Sequence, residues 1–297
     1  MKRPFRFAIF GNAFQPRKSL SAVQLMASLQ NRGAEILVDN RFYKYLSEET
    51  EMNLSGVATI GEDENFDADI AISLGGDGTF LEAGRRVGDK GIPILGINTG
   101  RLGFLSDFAA EDIEAVIGQI YAGEIRTERR RVLGVEYSEG QPEGYPYALN
   151  EVAVLKRDNS SMISIRVAIN GEFLTTYQAD GLIINTPTGS TGYALSVGGP
   201  IISPGSETLG LVPVAPHSLN VRPLMIRDSQ TVTLDVESRN HNFLVAIDGR
   251  SEMCREGVSL RIRRAPYDIL VLRRTDGSFF RTLRAKLMWG NDLRSQK

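Results

Sequence analysis

One cysteine, Cys254, two histidines and one tryptophan stand among 297 residues. A lone cysteine closes no intrachain disulfide and builds no thiolate metal cage, so neither a secreted disulfide scaffold nor structural zinc is expected, and a reducing cytoplasm is the default compartment. His217 and His241 lie far apart without metal-ligand spacing. Charge of one sign is missing too: 34 Lys+Arg against 36 Asp+Glu leave a formal net charge of −2. No broad cationic field is available to attract nucleic acid or an anionic membrane, so a polyanionic ligand has to be held by local geometry. No stretch approaches the ~18 consecutive apolar residues of a membrane-crossing helix. The apolar run after Lys2 and Arg3 is interrupted by Arg6 and meets Gly11 and Asn12 too early for a signal segment. What is present is ordinary globular composition, 42% hydrophobic and 24% charged, at a length suited to one large or two ordinary domains.

The first stretch alternates strand and helix signals. Residues 7–10 form an apolar run bounded by Gly11, after which Ala22, Leu25, Met26 and Leu29 fall at helical spacing before Gly33. Residues 36–38, 70–74 and 92–97 read as short strands, separated by a variable stretch at 47–64 and by a helical segment reaching Val87. Ile113, Val116, Ile117, Ile120 and Tyr121 lie on one helical face, with Gly123 as the stop. Repeated units of this kind imply a parallel sheet covered by helices. After residue 126 the pattern becomes short β runs, at 132–137, 148–155, 163–169, 182–185, 231–236, 244–247, 258–262 and 269–272. The dipeptides Asn170-Gly171 and Asp248-Gly249 are hairpin signals. The basic run at 129–131 reads as a solvated boundary.

Gly75-Gly76-Asp77-Gly78-Thr79-Phe80 follows a buried strand and opens a helix. Glycines there bring backbone N–H groups to the orphan donors of a helix start, which is a phosphate cradle in form. A dinucleotide fingerprint would need glycine at Leu81, and the Gly-Lys-Ser/Thr of a P-loop occurs nowhere. A carboxylate facing a phosphate repels it unless it binds the neutralising metal or takes a proton from the attacking hydroxyl. Asp77 is therefore a candidate base or metal ligand; as a bare helix cap it would need no ligand. Asn150-Glu151 pairs an amide with a carboxylate, suited to two sugar hydroxyls, or else marks an exposed strand edge. Residues 180–196 pack glycines and hydroxyls around one aromatic, Tyr193, and read either as a ribose and phosphate loop or as an unliganded polar loop.

These motifs, in this order, resemble the bacterial NAD kinases. The residues that carry the resemblance are Gly75-Gly76-Asp77-Gly78-Thr79, Asn150-Glu151, Asp180-Gly181 and the stretch 186–196. Segments 96–105, 213–219 and 283–289 are similar as well. The resemblance implies an α/β, Rossmann-like first domain at 1–125, to which 275–297 returns, and a mostly antiparallel β-rich second domain at 126–274. It implies ATP- and magnesium-dependent phosphorylation of the 2′-hydroxyl of the adenosine ribose of NAD, giving NADP, with Asp77 as proton acceptor. It places Asp77, Gly78, Asn150, Glu151, Asp180, Thr191, Gly192, Tyr193, Ala194, Leu195, Ser196, Ala215 and Arg250 at the dinucleotide, Asn150 and Glu151 on ribose hydroxyls and Asp180 at the nicotinamide end. It assigns no protein side chain to the metal, and it implies a cytoplasmic homodimer or homotetramer with no nucleic-acid or membrane partner. Gln178 stands where many members carry arginine, and loss of that cation is expected to relax discrimination between NAD⁺ and NADH. Arg250 occupies a position where members often have glutamine.

A lipid kinase sharing the glycine motif would need a basic amphipathic membrane-binding stretch, which is not evident. A dinucleotide sensor would bind NAD yet survive loss of Asp77. His217 reads as a hydrogen-bonded structural residue, His241 as a surface one, and Met288 and Trp289 as domain-docking anchors.

Overall fold

The computed structural model describes residues 3–11, 18–100, 103–140, 142, 144–157 and 161–289. Along the chain run β1 (Arg6–Gly11), α1 (Lys18–Gln30), β2 (Glu35–Asp39), α2 (Asn40–Glu49), β3 (Ala58–Ile60), β4 (Ile70–Leu74), α3 (Asp77–Val87), β5 (Ile94–Asn98), β6 (Phe108–Ala109) and α4 (Ile113–Ala122). There follow β7 (Arg126–Tyr137), β8 (Tyr147–Ala148), β9 (Glu151–Lys156), β10 (Ile163–Ile169), β11 (Glu172–Ala179), β12 (Gly181–Asn185), the short α5 (Tyr193–Ser196), β13 (Thr208–Val214) and β14 (Leu224–Arg227). The last elements are β15 (Val232–Glu237), β16 (Asn242–Ile247), β17 (Arg250–Arg255), β18 (Leu260–Arg273) and α6 (Phe279–Leu287). The chain divides into two compact units, Met1–Arg129 with Ile269–Lys297, and Arg130–Asp268.

In the first unit the strands are parallel in the order β3-β2-β1-β4-β5, and Val271 and Leu272 of β18 pair in parallel with Ile94 and Leu95. This is a doubly-wound α/β sheet, in which the order reverses beside β1 and β4; ligands of such sheets bind at the carboxyl ends of the strands at that reversal. The strand residues Phe7, Ile9, Ile70, Ile72 and Leu74 share one core with α1, α2 and α4. Helix α4 stops at Gly123, whose φ of 74° is the left-handed turn that ends many helices. Helix α2 is a correction to the sequence reading, which left that stretch without an element. Asp39 caps it by accepting the amides of Arg41 and Phe42, and Phe42 and Leu46, one turn apart, bury its inner face.

The second unit is antiparallel. One sheet runs β14-β13-β12-β9-β16-β17, and β11-β10-β15 with the start of β18 form another. Alternate residues of both, such as Ile163, Ile165 and Val167 on β10 and Phe243, Val245 and Ile247 on β16, fill a common core. The outer face of the first sheet is buried as well: Ala153, Ile183, Val212 and Ala246 lie under Ala194 of α5. That packing fixes α5 over the sheet. Both predicted hairpin dipeptides form two-residue turns, with φ of 52° and 86° at Asn170-Gly171 and 47° and 79° at Asp248-Gly249. Of the basic run at 129–131, expected as a solvated boundary, Arg129 is exposed where the first unit ends, but the other two residues are not solvated. Arg130 is buried, and Arg131 sits 2.8 Å from Asp228 and 3.1 Å from Asp268. Residues 260–262 and 269–272, expected as parts of two runs, belong to one strand, β18, which runs through Pro266.

Candidate active site

All five residues of β4 are buried, and the strand delivers the chain to Gly75-Gly76 at the reversal point. Helix α3 forms because Phe80, Ala83 and Val87 recur on one face and bury, and it stops at Gly88 with φ 56°. Gly76 takes the cap position and has no side chain to cap with, while Asp77 is the first helical residue. The first-turn amides are thus left without a side-chain acceptor. Asp77 does not cap its own helix; its Oδ2 accepts the Phe104 amide at 3.1 Å and its Oδ1 the Leu105 amide at 3.2 Å. Gly103 leads into that loop, and a Cβ there would overlap the Asp77 carboxylate. From α6, the Lys286 ammonium stands 4.0 Å from Asp77 Oδ2 and 4.5 Å from the Phe104 ring centroid.

The glycines do not serve a left-handed backbone, for none of Gly75, Gly76 and Gly78 has positive φ. Gly75 is required by close packing, since a Cβ would overlap the Thr79 side chain, whereas a Cβ on Gly76 or Gly78 would meet nothing within 4 Å. Among the described residues, two of the three glycines therefore face open space beside helix-start donors that no side chain caps. An arrangement of this form is able to receive an anionic group through the backbone.

In the second unit Asn150 precedes β9 and Glu151 is its first residue, on a strand flanked by β12 and β16. This is an interior strand, not an edge, and Glu151 is only 8% exposed. Asn150 Oδ1 and Glu151 Oε2 are buried without a hydrogen-bond partner. Beneath them the Asp248 carboxylate accepts the amides of Leu149 at 2.7 Å, Asn150 at 2.8 Å and Glu151 at 3.1 Å. Burial, reinforced by Asp248, pushes the Glu151 carboxyl up to about 7, while the Tyr193 amide donates to it and opposes the shift. Burial also raises Asp248, against the pull of its three amides and Arg250.

The stretch 186–196 is built against this pair. Thr186 donates its amide to Asn150 O at 2.9 Å and its hydroxyl to Leu149 O at 2.6 Å. A Cβ on Gly189 would overlap the Asn150 backbone, and one on Gly192 would lie 3.0 Å from Glu151 Oε2. At the other end of β12, Asp180 pairs with Lys156 at 2.7 Å and donates its amide to Val214 O at 2.9 Å, next to Ala215. Residues 181 and 185 bracket that strand, so its two ends are about 13 Å apart at ~3.3 Å per residue.

Residues 7–125 match the ATP-NAD kinase N-terminal domain family, and residues 149–273 match the ATP-NAD kinase C-terminal domain family. The chain belongs to the NAD kinase family. It is 58% identical over 289 residues to the NAD kinase of Bacteroides fragilis, covering 97% of this chain and 99% of that one. The NAD kinase of Porphyromonas gingivalis is 39% identical over 292 residues, again covering 97% and 99%. The fold of this chain is similar to that of a yeast NADH kinase in complex with NADH, at TM-score 0.90, 24% identity, and coverage of 100% of this chain and 91% of that one. An NAD kinase from Archaeoglobus fulgidus in complex with ATP is similar at TM-score 0.70 and 25% identity, covering 95% and 98%.

Against this NAD kinase fold the candidate residues fall into distinct roles. Asn150, Glu151, Gly192 and Tyr193 come together, and Tyr193 is 38% exposed beside them. Thr191 bonds within its own turn to Thr188 O at 3.1 Å, Leu195 is half-buried, Ser196 is exposed, and Ala194 points inward to the sheet. Gly78 lies with Asp77 in the first turn of α3. Arg250 spends its guanidinium on the carbonyls of Tyr145 and Tyr147, both at 2.9 Å, and so fastens the chain leading to Asn150. Gln178 bonds Ser164 at 2.8 Å, and His217 donates its amide to Gln178 O at 2.8 Å. His241 pairs with Glu256. Met288 and Trp289, expected as docking anchors, are 60% and 56% exposed. Sequence reasoning missed Lys286, Lys156 and the contacts of Asp248. Of these only Asp248 had a signal, its Asp-Gly turn, and that signal speaks for backbone shape alone.

Proposed function

We propose that this protein phosphorylates the 2′-hydroxyl of the adenosine ribose of NAD with ATP as donor, yielding NADP and ADP. The observation that carries the reading is the Asp77 carboxylate, which caps no helix, is aimed by the Phe104 and Leu105 amides, and sits beside an open glycine-lined helix start. In the reaction the 2′-oxygen attacks the γ-phosphorus, the bond from that phosphorus to the bridging oxygen breaks, ADP leaves, and Asp77 accepts the hydroxyl proton. Asn150 and Glu151 hold ribose hydroxyls through their unpartnered acceptors. Tyr193 offers a flat face to a base, and the Asp180 and Ala215 cluster takes the far end of the dinucleotide.

Among the described residues no three His, Cys, Asp or Glu side chains gather into a metal cage. In this reading a magnesium ion chelated by the ATP phosphates would supply charge neutralisation there. A cytoplasmic homo-oligomer is part of the same reading; light scattering on the purified protein tests the assembly, and a monomeric mass counts against it.

The deciding experiment is NADP formation from NAD, ATP and magnesium by the wild type and Asp77→Asn. Asparagine conserves size and most hydrogen bonding but takes up no proton, so turnover should fall by about 100-fold or more. Undiminished turnover in the variant removes the proposed base. NAD binding without any product from the wild type would point to a sensor instead.

A further inference from the structure

The Asp248-Gly249 turn lies outside the assigned dinucleotide contacts, yet its carboxylate receives three consecutive amides, those of Leu149, Asn150 and Glu151. The turn is itself anchored on the same strand, since the Asp248 amide donates to Glu151 O at 3.0 Å. A hairpin turn needs none of this: φ of 47° and 79° at the two positions already closes it. The four hydrogen bonds fix where the Asn150 and Glu151 side chains emerge, and those side chains end in the two buried acceptors without partners.

We infer that Asp248 is a positioning residue for dinucleotide binding: its buried carboxylate locks the backbone at 149–151 so that Asn150 and Glu151 converge on the two hydroxyls of one ribose. This rests on the reading of Asn150-Glu151 as the ribose site and deepens it. The same placement couples ligand affinity to a proton. Burial raises Asp248 as well, but its three amide donors and Arg250 of β17 oppose that shift, and its charge is among the causes that raise Glu151. Glu151, with one carboxylate oxygen unpartnered against that charge, holds a proton until near neutrality. The other groups that face the pair are few. Residues 188–196 bring no charged side chain, only the Tyr193 amide, and the Arg130 guanidinium of β7 reaches Thr188 Oγ1 at 3.4 Å. A ribose hydroxyl donates to the ionised form, so NAD binding expels the proton below neutrality. Affinity should rise as pH rises and level off above about 7.

The test is calorimetric NAD affinity together with KM and kcat, from acid to mildly alkaline pH, in wild type, Asp248→Asn and Glu151→Gln. Asparagine tolerates the left-handed backbone, keeps an acceptor for Asn150 and Glu151, and presents either an NH₂ group or nothing to the Leu149 amide. Asp248→Asn should weaken NAD by about 10-fold in Kd and KM with kcat nearly unchanged, and should move the inflection to lower pH because the facing charge is gone. Glu151→Gln should abolish the inflection. Wild-type affinity and profile in Asp248→Asn, with Glu151→Gln impaired, overturn the role of Asp248 alone. Unchanged affinity in Glu151→Gln overturns the ribose assignment beneath it. If Asp248→Asn does not fold, the wild-type titration against Glu151→Gln decides, and a flat wild-type profile overturns the coupling.

Discussion

At Glu151, burial and the Asp248 charge raise the carboxyl to about 7, from an ordinary value of 4.5. The folded apoprotein therefore binds more protons than the unfolded chain between those values, and stability is full below the lower one and lost as pH rises through the upper one. Complete ionisation costs roughly 3–4 kcal/mol, a rise of roughly 2.5 in pKa at ~1.4 kcal/mol for each. Glu151→Gln should then raise the apo melting temperature at pH near 8 and leave it unchanged near 4.5; thermal melts at both values check this, and equal melts at pH 8 argue against the buried anion. Residues of this sort are legible by type and spacing, because an amide beside a carboxylate suggests hydroxyl binding wherever it lies. Their electrostatics are not, since Asp248 is 97 positions away and reaches Glu151 only through the β9–β16 pairing.

Elements were legible in proportion to how far their own pattern determined them. Asn170-Gly171 and Asp248-Gly249 declare their turns because few other residues accept positive φ in succession. Helix α2 escaped notice because only Phe42 and Leu46 are fully buried among its ten residues, and β3 because it has three residues, two of them exposed. The loop 103–105 is an element whose role depends on contact alone. Gly103 packs where a Cβ would overlap the Asp77 carboxylate, so Gly103→Ala should push that group or the loop aside without touching the core. A displacement near 1 Å at a reacting group costs on the order of 100-fold in rate. The variant should keep its melting temperature within a few degrees and lose kcat by about 10-fold or more, measured by initial rates; full activity means the loop yields without disturbing Asp77. In the second unit Arg131 plays a stabilising part. Replacing it by methionine leaves Asp228 and Asp268 buried with fewer cations, a loss of about 3–5 kcal/mol that denaturant unfolding would register.

For the whole molecule the telling quantity is the balance of 34 basic against 36 acidic residues. Much of the buried basic charge is already committed. Arg86 lies 3.1 Å from Asp39, Arg131 2.8 Å from Asp228, and Arg273 3.6 Å from Glu128. Under the proposed reading a ligand with several phosphates would therefore meet no cationic field at long range and would be held by amides at a helix start, by single ammonium groups such as Lys286, and by acceptors for its hydroxyls. Contacts of this kind act within a few ångströms and are screened weakly, whereas a steering field collapses once the Debye length falls below the separation of the charges. Between about 0.05 M and about 0.3 M monovalent salt, at fixed free magnesium, kcat/KM for NAD should change by less than about threefold. A fall of tenfold or more would mean that the dinucleotide is gathered by a charged surface rather than recognised by the contacts described for the two units.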